Sequence, residues 1–177
     1  MKLESPTDYF RRGALTRDGY VGWVRFEAIG VQPDQIPITG GVYVVVRETS
    51  SAPDFLELNP AGRFKGRDPS VSLEALRANW VDGADVLYVG KANIGRTRPR
   101  GLRKRLREYA DFGAGRPVGH WGGRLIWQLA DSCELIVAWK ETPPGTNPTL
   151  VETDLISQFR AGHGKPPFAN NPHRLGR

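Results

Sequence analysis

Runs of β-branched and aromatic residues dominate the hydrophobic pattern of the chain. GGVYVVVRE, residues 40 to 48, predicts a central β-strand, and DVLYVGK, residues 85 to 91, predicts a second buried strand. RLIWQL (124–129) and ELIVAWK (134–140) are separated by ADSC, which predicts a β-hairpin. YVGWVRFEAI (20–29) predicts one further strand near the N-terminus.

Three other segments have apolar residues at helical spacing. They are VSLEALRANW (71–80), GLRKRLREYA (101–110) and TNPTLVETDLISQFRAG (146–162). In the last one, Asn147 is a suitable N-cap, Pro148 suits the first turn, and Gly162 is expected to end the helix. The order of elements predicts an α+β domain with a small, mainly antiparallel β-sheet flanked by helices.

Length and composition predict one globular domain with a basic surface. The 177 residues include 39% hydrophobic and 25% charged residues, and suffice for one core. We interpret residues 1–37 as an N-terminal extension and 38–177 as the domain, with a polar insertion at about 49–84. The net charge of +6 favours a polyanionic partner.

Several classes of protein are disfavoured by what the sequence lacks. A single cysteine, Cys133, excludes an intramolecular disulfide and a zinc site built from cysteines. No window approaches the ~18 consecutive apolar residues of a membrane helix, and the N-terminus lacks the apolar core of a signal peptide. We therefore expect a cytoplasmic protein with no membrane partner.

Glu152 occupies an unusual position for a carboxylate. On a helical wheel it falls within the apolar arc of Val151, Leu155 and Phe159, whereas Asp154 lies on the opposite side. A buried carboxylate must be paired with a cation, protonated, or bound to a metal. The two main interpretations are an ion pair with an arginine and a single-carboxylate site for Mg²⁺ or Mn²⁺.

A continuous basic segment follows the second strand. It contains no acidic residue and eight basic ones: Lys91, Arg96, Arg98, Arg100, Arg103, Lys104, Arg105 and Arg107. This pattern is typical of phosphate binding, although a solvated helix face explains Arg103, Lys104 and Arg107 at least as well. Arg105 differs because it lies at the edge of the apolar stripe beside Tyr109, where its guanidinium suits a phosphate oxygen.

Other conspicuous residues are ambiguous by themselves. Tyr43 and Tyr88 lie in the middle of strand-forming runs, where core tyrosines with bonded hydroxyls are the commoner case. In a regular strand Tyr88 and Lys91 face opposite sides, so we expect Gly90 to break the strand and turn Lys91 toward the helix. GHWGGR, 119–124, fits either a functional loop or a tight turn with an aromatic anchor, and KPPFANNPHR, 165–174, fits a rigid surface loop.

Taken in order, these segments resemble the GIY-YIG nucleases. GVY at 41–43 and YVG at 88–90 match the two halves of the family signature, and KA with LRKRLREY is similar to the N-terminal incision domain of the excision-repair nuclease and to restriction and homing enzymes. The resemblance extends from about Gly40 to Asn171. It implies a GIY-YIG-type domain and a metal-dependent DNA endonuclease that leaves 5′-phosphate and 3′-hydroxyl ends.

The resemblance also implies a role for each matching residue. Tyr43 would be the general base, directly or through a water, and Tyr88 would order that water or the phosphate. Lys91 would lower the proton affinity of the base or contact the phosphate. Arg105, with Tyr109 beside it, would stabilise the scissile phosphate. Glu152 would be the one protein ligand of a single Mg²⁺ or Mn²⁺ ion, and Asn170, or Asn171 in the alternative register, would support the site.

The chain departs from the family pattern between the two tripeptides, where 44 residues lie between Tyr43 and Tyr88. Closing a longer surface loop costs only about 0.6 kcal/mol per doubling, so the insertion is compatible with the pairing of the two strands. Beside the site, it could form an arm that contacts DNA. Five other basic residues of the segment are the predicted nucleic-acid contacts: Arg96, Arg98, Arg100, Arg103 and Lys104.

Two alternatives compete with the endonuclease. One is a non-catalytic nucleic-acid-binding module on the same scaffold, and the other is a structural protein with an internal ion pair between Glu152 and Arg105. The expected partner is duplex or branched DNA. A restriction role would favour a homodimer able to cut both strands, and tight binding would otherwise call for a partner domain outside this sequence.

Overall fold

The computed structural model describes residues 6–95 and 100–170, and its centre is a four-stranded sheet. The strands are β1 (Val21–Arg25), β2 (Gly41–Val46), β3 (Val86–Ala92) and β4 (Ile136–Glu141), in the spatial order β1-β4-β2-β3. All three pairs are antiparallel. The prediction of an α+β domain with a small antiparallel sheet and a central β2 is therefore confirmed.

Within the described ranges, six α-helices accompany the sheet. They are α1 (Pro6–Tyr9), α2 (Arg12–Arg17), α3 (Phe26–Val31), α4 (Leu73–Asn79), α5 (Gly101–Gly113) and α6 (Pro148–His163). The Asn147 side chain caps α6 by accepting from the Thr149 N–H, as predicted. The predicted end at Gly162 is wrong by two residues, because Gly164 (φ 77°) provides the left-handed turn that ends the helix.

Apolar layers cover both faces of the sheet. The face toward α5 buries Tyr43, Val45, Leu106 and other residues, whereas the face toward α6 buries Val42 and Val44 with residues of that helix. β2 is consequently buried along its whole length, which explains its unbroken β-branched run. Residues 6–37 take part in both layers and supply β1, so the N-terminal segment is built into the same sheet and core.

The expected break in β3 at Gly90 is wrong. The strand continues to Ala92, with Tyr43 opposite Gly90 and Val42 opposite Lys91. A Cβ atom on residue 90 would overlap the Tyr43 ring. The glycine therefore serves a close approach of an aromatic side chain and not a turn.

The predicted strand at RLIWQL is also wrong. Residues Arg124–Gln128 form a 3₁₀ helix in which every residue is buried. The Gln128 amide explains why this segment lies outside the sheet: it accepts from the Val71 N–H and donates to the carbonyls of Leu56 and Val71. The 49–84 insertion packs over this helix and satisfies its polar group.

Candidate functional site

A cleft of about 260 Å³ opens along the edge of β3, between β3, α5 and α6. Its charged and aromatic lining residues come from all three elements: Tyr88, Lys91, Arg100, Lys104, Arg105, Glu108 and Glu152. Four cations face two carboxylates, so the cleft carries a net positive charge suited to an anion. The cleft thus unites Tyr88, Lys91, Arg105 and Glu152 from the predicted site.

Three tyrosines pack together behind the opening of this cleft, and we call them the tyrosine wall. Tyr43 comes from β2, Tyr88 from β3 and Tyr109 from α5, and their ring centroids lie 5.6–6.2 Å apart. The antiparallel register places Tyr43 and Tyr88 on the face of the sheet that α5 covers. Tyr88 is 5% exposed and lines the cleft, whereas Tyr43 is fully buried behind it.

His120 is the hydrogen-bond partner of Tyr43. Its Nε2 lies 3.0 Å from the Tyr43 hydroxyl, and its ring stacks on Tyr109 at 3.7 Å with an interplanar angle of 3°. Tyr109 in turn donates to the Gly123 carbonyl at 2.7 Å. A Cβ at position 123 would overlap the Tyr109 hydroxyl, so the glycine permits this approach. The 119–123 loop is thereby held against the tyrosine wall.

Burial controls the protonation of these groups. It raises the pKa of Tyr43 well above 10, the neighbouring Tyr88 adds to this rise, and the Arg105 guanidinium opposes it. Burial likewise raises the pKa of Tyr88 to about 12, against the influence of Arg105. For His120, burial and then the charge of Arg105 hold the pKa well below 6.5. At neutral pH both phenols keep their protons and the imidazole is uncharged.

Arg105 extends from α5 into the cleft. Its side chain is 29% exposed in the cleft, Nη1 donates to the Gly119 carbonyl at 3.3 Å, and the same nitrogen lies 3.6 Å from Glu108. Although burial alone would lower it, the phenols of Tyr43 and Tyr88 raise the pKa of Arg105. The guanidinium is therefore a permanent positive charge between the tyrosine wall and the open cleft.

Lys91 and Glu152 form an ion pair across the edge of the sheet. Nζ of Lys91 lies 3.0 Å from the Glu152 carboxylate, with side-chain exposures of 31% and 17%. Because β3 is regular, Lys91 lies on the α6 face, opposite Tyr88, and meets the carboxylate there. The Glu152–Arg105 ion pair of the alternative structural interpretation is not formed, since Arg105 faces Glu108 and Glu152 pairs with Lys91.

A divalent cation in the cleft would have few protein ligands. Across residues 6–95 and 100–170, no group of three or more His, Cys, Asp or Glu side chains could hold a metal. Glu152 nevertheless borders open space in the cleft, and Mg²⁺ commonly takes one or two carboxylates, several waters and a substrate phosphate. The Glu152 carboxylate would then interact with both Lys91 and the metal ion.

Asn170 lies at the outer edge of β3. Its Oδ1 accepts from the Val89 N–H at 2.8 Å, and its Nδ2 donates to the Val89 carbonyl at 2.7 Å. These are the two backbone groups of Val89 that a neighbouring strand would bond, and β3 is the last strand of the sheet on this side. The Asn170 side chain therefore takes the place of a strand partner at this one residue. Asn171, the alternative register, lies outside the described residues.

The predicted nucleic-acid contacts divide into three groups. Arg100 and Lys104 are exposed and line the cleft. Arg103 does not, because its guanidinium donates to the Ile36 carbonyl and pairs with Asp34, which ties α5 to the preceding loop. Arg96 and Arg98 lie outside the residues that the structure describes.

Sequence reasoning missed His120 and Glu108 as members of the site. Glu108 lies three residues after Arg105 and four after Lys104 on α5. Residues at these spacings share one side of a helix, so the sequence could have identified Glu108 as their neighbour. For His120 the available signal was GHWGGR, whose glycines border the Tyr88 and Tyr109 hydroxyls. Large aromatic side chains between glycines indicate close packing in this loop. The residues against which the loop packs, however, cannot be identified from the loop sequence.

Comparison of the chain with protein-family models, curated proteins and solved structures found no significant match. Among the described residues, no helix is both long and apolar enough to cross a membrane. The functional interpretation therefore depends on the geometry of the cleft and on the sequence motifs.

Proposed function

We propose that the protein is a metal-dependent DNA endonuclease of the GIY-YIG type, which hydrolyses phosphodiester bonds to leave 5′-phosphate and 3′-hydroxyl ends. The observation that carries this proposal is the meeting of Tyr88, Lys91, Arg105 and Glu152 in one cleft. These residues come from three elements that are distant in sequence. A phosphate-binding surface alone requires no carboxylate at this position.

Phosphate binding follows from the charge of the cleft. Arg105 presents N–H donors that can engage a non-bridging oxygen and stabilise the negative charge that grows during attack. Arg100 and Lys104 extend the positive surface along α5 and can contact neighbouring phosphates.

Water activation is assigned to the tyrosine wall. Tyr88 lines the cleft and positions the attacking water. Tyr43 is buried behind Tyr88, so it acts through a water and does not contact DNA directly. Tyr109 and Asn170 support the site by holding the 119–123 loop and the edge of β3.

Glu152 is the residue that would hold Mg²⁺ or Mn²⁺, with water and phosphate oxygens as the other ligands. When bound, the ion supplies positive charge that stabilises the departing 3′-oxygen. Lys91 orients the carboxylate toward the cleft through their ion pair.

The proposal is tested by incubating purified protein with supercoiled plasmid and with short duplex, branched and single-stranded DNAs. Each reaction contains Mg²⁺, Mn²⁺ or a chelator, and the Glu152→Gln variant is assayed in parallel. We expect metal-dependent cleavage that falls by about 100-fold or more in Glu152→Gln, with DNA binding retained. Asp154→Asn is the matched control, because this carboxylate is exposed on the same helix.

Two results would contradict the proposal. Cleavage by Glu152→Gln at the wild-type rate would remove the carboxylate from the mechanism. Tight binding without cleavage under every condition would favour the non-catalytic nucleic-acid-binding module. One observation supports this alternative: the ion pair with Lys91 already balances the charge of Glu152 without a metal.

A further inference from the structure

The 49–84 insertion carries a short turn of sequence RFKGR, residues 63–67, which we call the basic turn. The side chains of Arg63, Lys65 and Arg67 are all exposed. Two backbone hydrogen bonds close the turn, and each joins residues three apart at 3.2 Å. The three cationic side chains are therefore presented by a defined turn on the surface.

The basic turn is fixed beside the cleft. The ring of Phe64 packs on the backbone of Gly119, where a Cβ atom would lie 3.4 Å from it. The carbonyl of Gly119 accepts a hydrogen bond from Arg105. At the start of the turn, the Gly62 N–H donates to the Phe112 carbonyl at 2.8 Å, which ties the insertion to the end of α5. A single residue, Gly119, thus links the turn to the arginine that is proposed to bind the scissile phosphate.

Lys65 has a backbone conformation that its residue type does not favour. Its φ of 53° and ψ of 35° lie in the left-handed region. Glycine and asparagine adopt this region at a lower cost, so the turn alone would favour one of them. Residues held in such conformations cluster at functional sites, and a lysine here indicates a role for its side chain.

The Lys65 side chain is oriented but not neutralised. Its Nζ lies 5.4 Å from the centroid of the Phe64 ring, a cation–π contact that leaves the ammonium group in solvent. Arg63 pairs at 3.2 Å with Asp68, the acidic residue that follows the turn. Among the residues that the structure describes, Lys65 and Arg67 have no carboxylate partner. The basic turn therefore keeps two uncompensated positive charges.

We propose that the basic turn is a second phosphate-binding surface, which contacts the DNA backbone beyond the scissile phosphate, toward the end of α5. The inference rests on the proposed nuclease function. Arg100 and Lys104 precede Arg105 along α5, whereas the turn is tied to the end of that helix. A strand whose phosphate is bound by Arg105 would have cationic groups on both sides. Contacts to phosphate add affinity without a preference for particular bases.

Four variants test this surface. Lys65→Asn removes a charge and suits the left-handed backbone, Lys65→Arg keeps the charge, and Lys65→Asn/Arg67→Gln removes both free charges. Each lost phosphate contact lowers the slope of log K against log salt by about 0.9, so the double variant should lose about twice this value and bind duplex DNA about 10-fold more weakly. Arg160→Gln is the matched control, because this exposed arginine lies near the end of α6 on the other face of the sheet.

The experiment measures the binding of a short fluorescent duplex by anisotropy over a series of salt concentrations, with chelator to prevent cleavage. Thermal unfolding and plasmid cleavage with Mg²⁺ are measured in parallel. We expect a lower salt slope in Lys65→Asn with no loss of thermal stability, and the wild-type slope in Lys65→Arg and Arg160→Gln.

Three outcomes separate the surface from the nuclease. An unchanged salt slope in the double variant, or an equal change in Arg160→Gln, would overturn the surface even if wild-type protein cleaves DNA. Weaker binding confined to the basic-turn variants, without cleavage by wild type, would support the surface and contradict the nuclease. Wild-type protein that neither binds nor cleaves DNA would overturn both.

Discussion

Asn170→Ala tests whether the edge of β3 depends on one amide side chain. The substitution removes both hydrogen bonds to the Val89 backbone, at 2.8 and 2.7 Å. Each backbone group left without a partner costs about 1–3 kcal/mol when buried. Since Asn170 is only partly buried and water can reach the vacated site, we expect a loss of about 2–3 kcal/mol in the free energy of unfolding.

Urea denaturation followed by circular dichroism measures this loss directly. For a chain of this size the corresponding fall in Tm is about 5–10 °C, at roughly 2–4 °C per kcal/mol. The slope of the unfolding free energy against urea should not change, because the surface exposed on unfolding is the same. The proposed DNA cleavage should decline together with stability, as Lys91 lies only two residues beyond Val89 on the same strand.

Asn170→Asp provides a matched control with a pH signature. Its carboxylate still accepts from the Val89 N–H but repels the Val89 carbonyl, so it is less stable than wild type at neutral pH. Protonation below about pH 4 restores a donor, and the difference from wild type should then shrink. Changes below about 1 kcal/mol in both variants would refute the structural role of Asn170.

Three further predictions concern the core and the insertion. Gly90→Ala should destabilise the protein by about 1–3 kcal/mol in urea denaturation, because the new methyl group overlaps the Tyr43 ring; unchanged stability would contradict the packing. All five tyrosines have pKa values raised above 10, so native protein should show no phenolate absorbance at pH 10 and should lose stability as pH rises further, since the unfolded chain releases those protons first. Arg47→Met removes the partner of Asp131 and should cost about 2 kcal/mol by thermal unfolding, while DNA binding in a gel-shift assay stays unaltered.

Hydrophobic periodicity predicted most of the regular structure. β2, β3, β4 and the helices α4, α5 and α6 were all identified, because each combines a clear period with local signals such as Asn147 at the start of α6. RLIWQL was misread since a short apolar run is equally compatible with a buried 3₁₀ helix. Only the contacts of Gln128 with the insertion distinguish the two, and these join residues far apart in sequence.

The sequence identified four of the side chains that meet in the cleft, Tyr88, Lys91, Arg105 and Glu152, but it missed others and did not predict how they contact one another. The anomalous position of Glu152 correctly indicated a need for a cation, yet the wheel could not identify Lys91 as that cation. The error at Gly90 had the same origin, because the Tyr43 ring that requires the glycine lies on another strand. His120 escaped attention because its hydrogen bond to Tyr43 spans 77 residues.

The position of β3 at the edge of the sheet reconciles these findings. Tyr88 and Lys91 face opposite sides of the strand, and in an interior strand the full thickness of the sheet would separate them. At an open edge both side chains can border one cleft, with α5 above and α6 below. Such an edge is prone to further strand pairing, and Asn170 blocks it at Val89, next to the cleft. The edge position that lets side chains from both faces of β3 border one cleft therefore also leaves the strand in need of the asparagine, which links the stability of β3 to the geometry of the cleft.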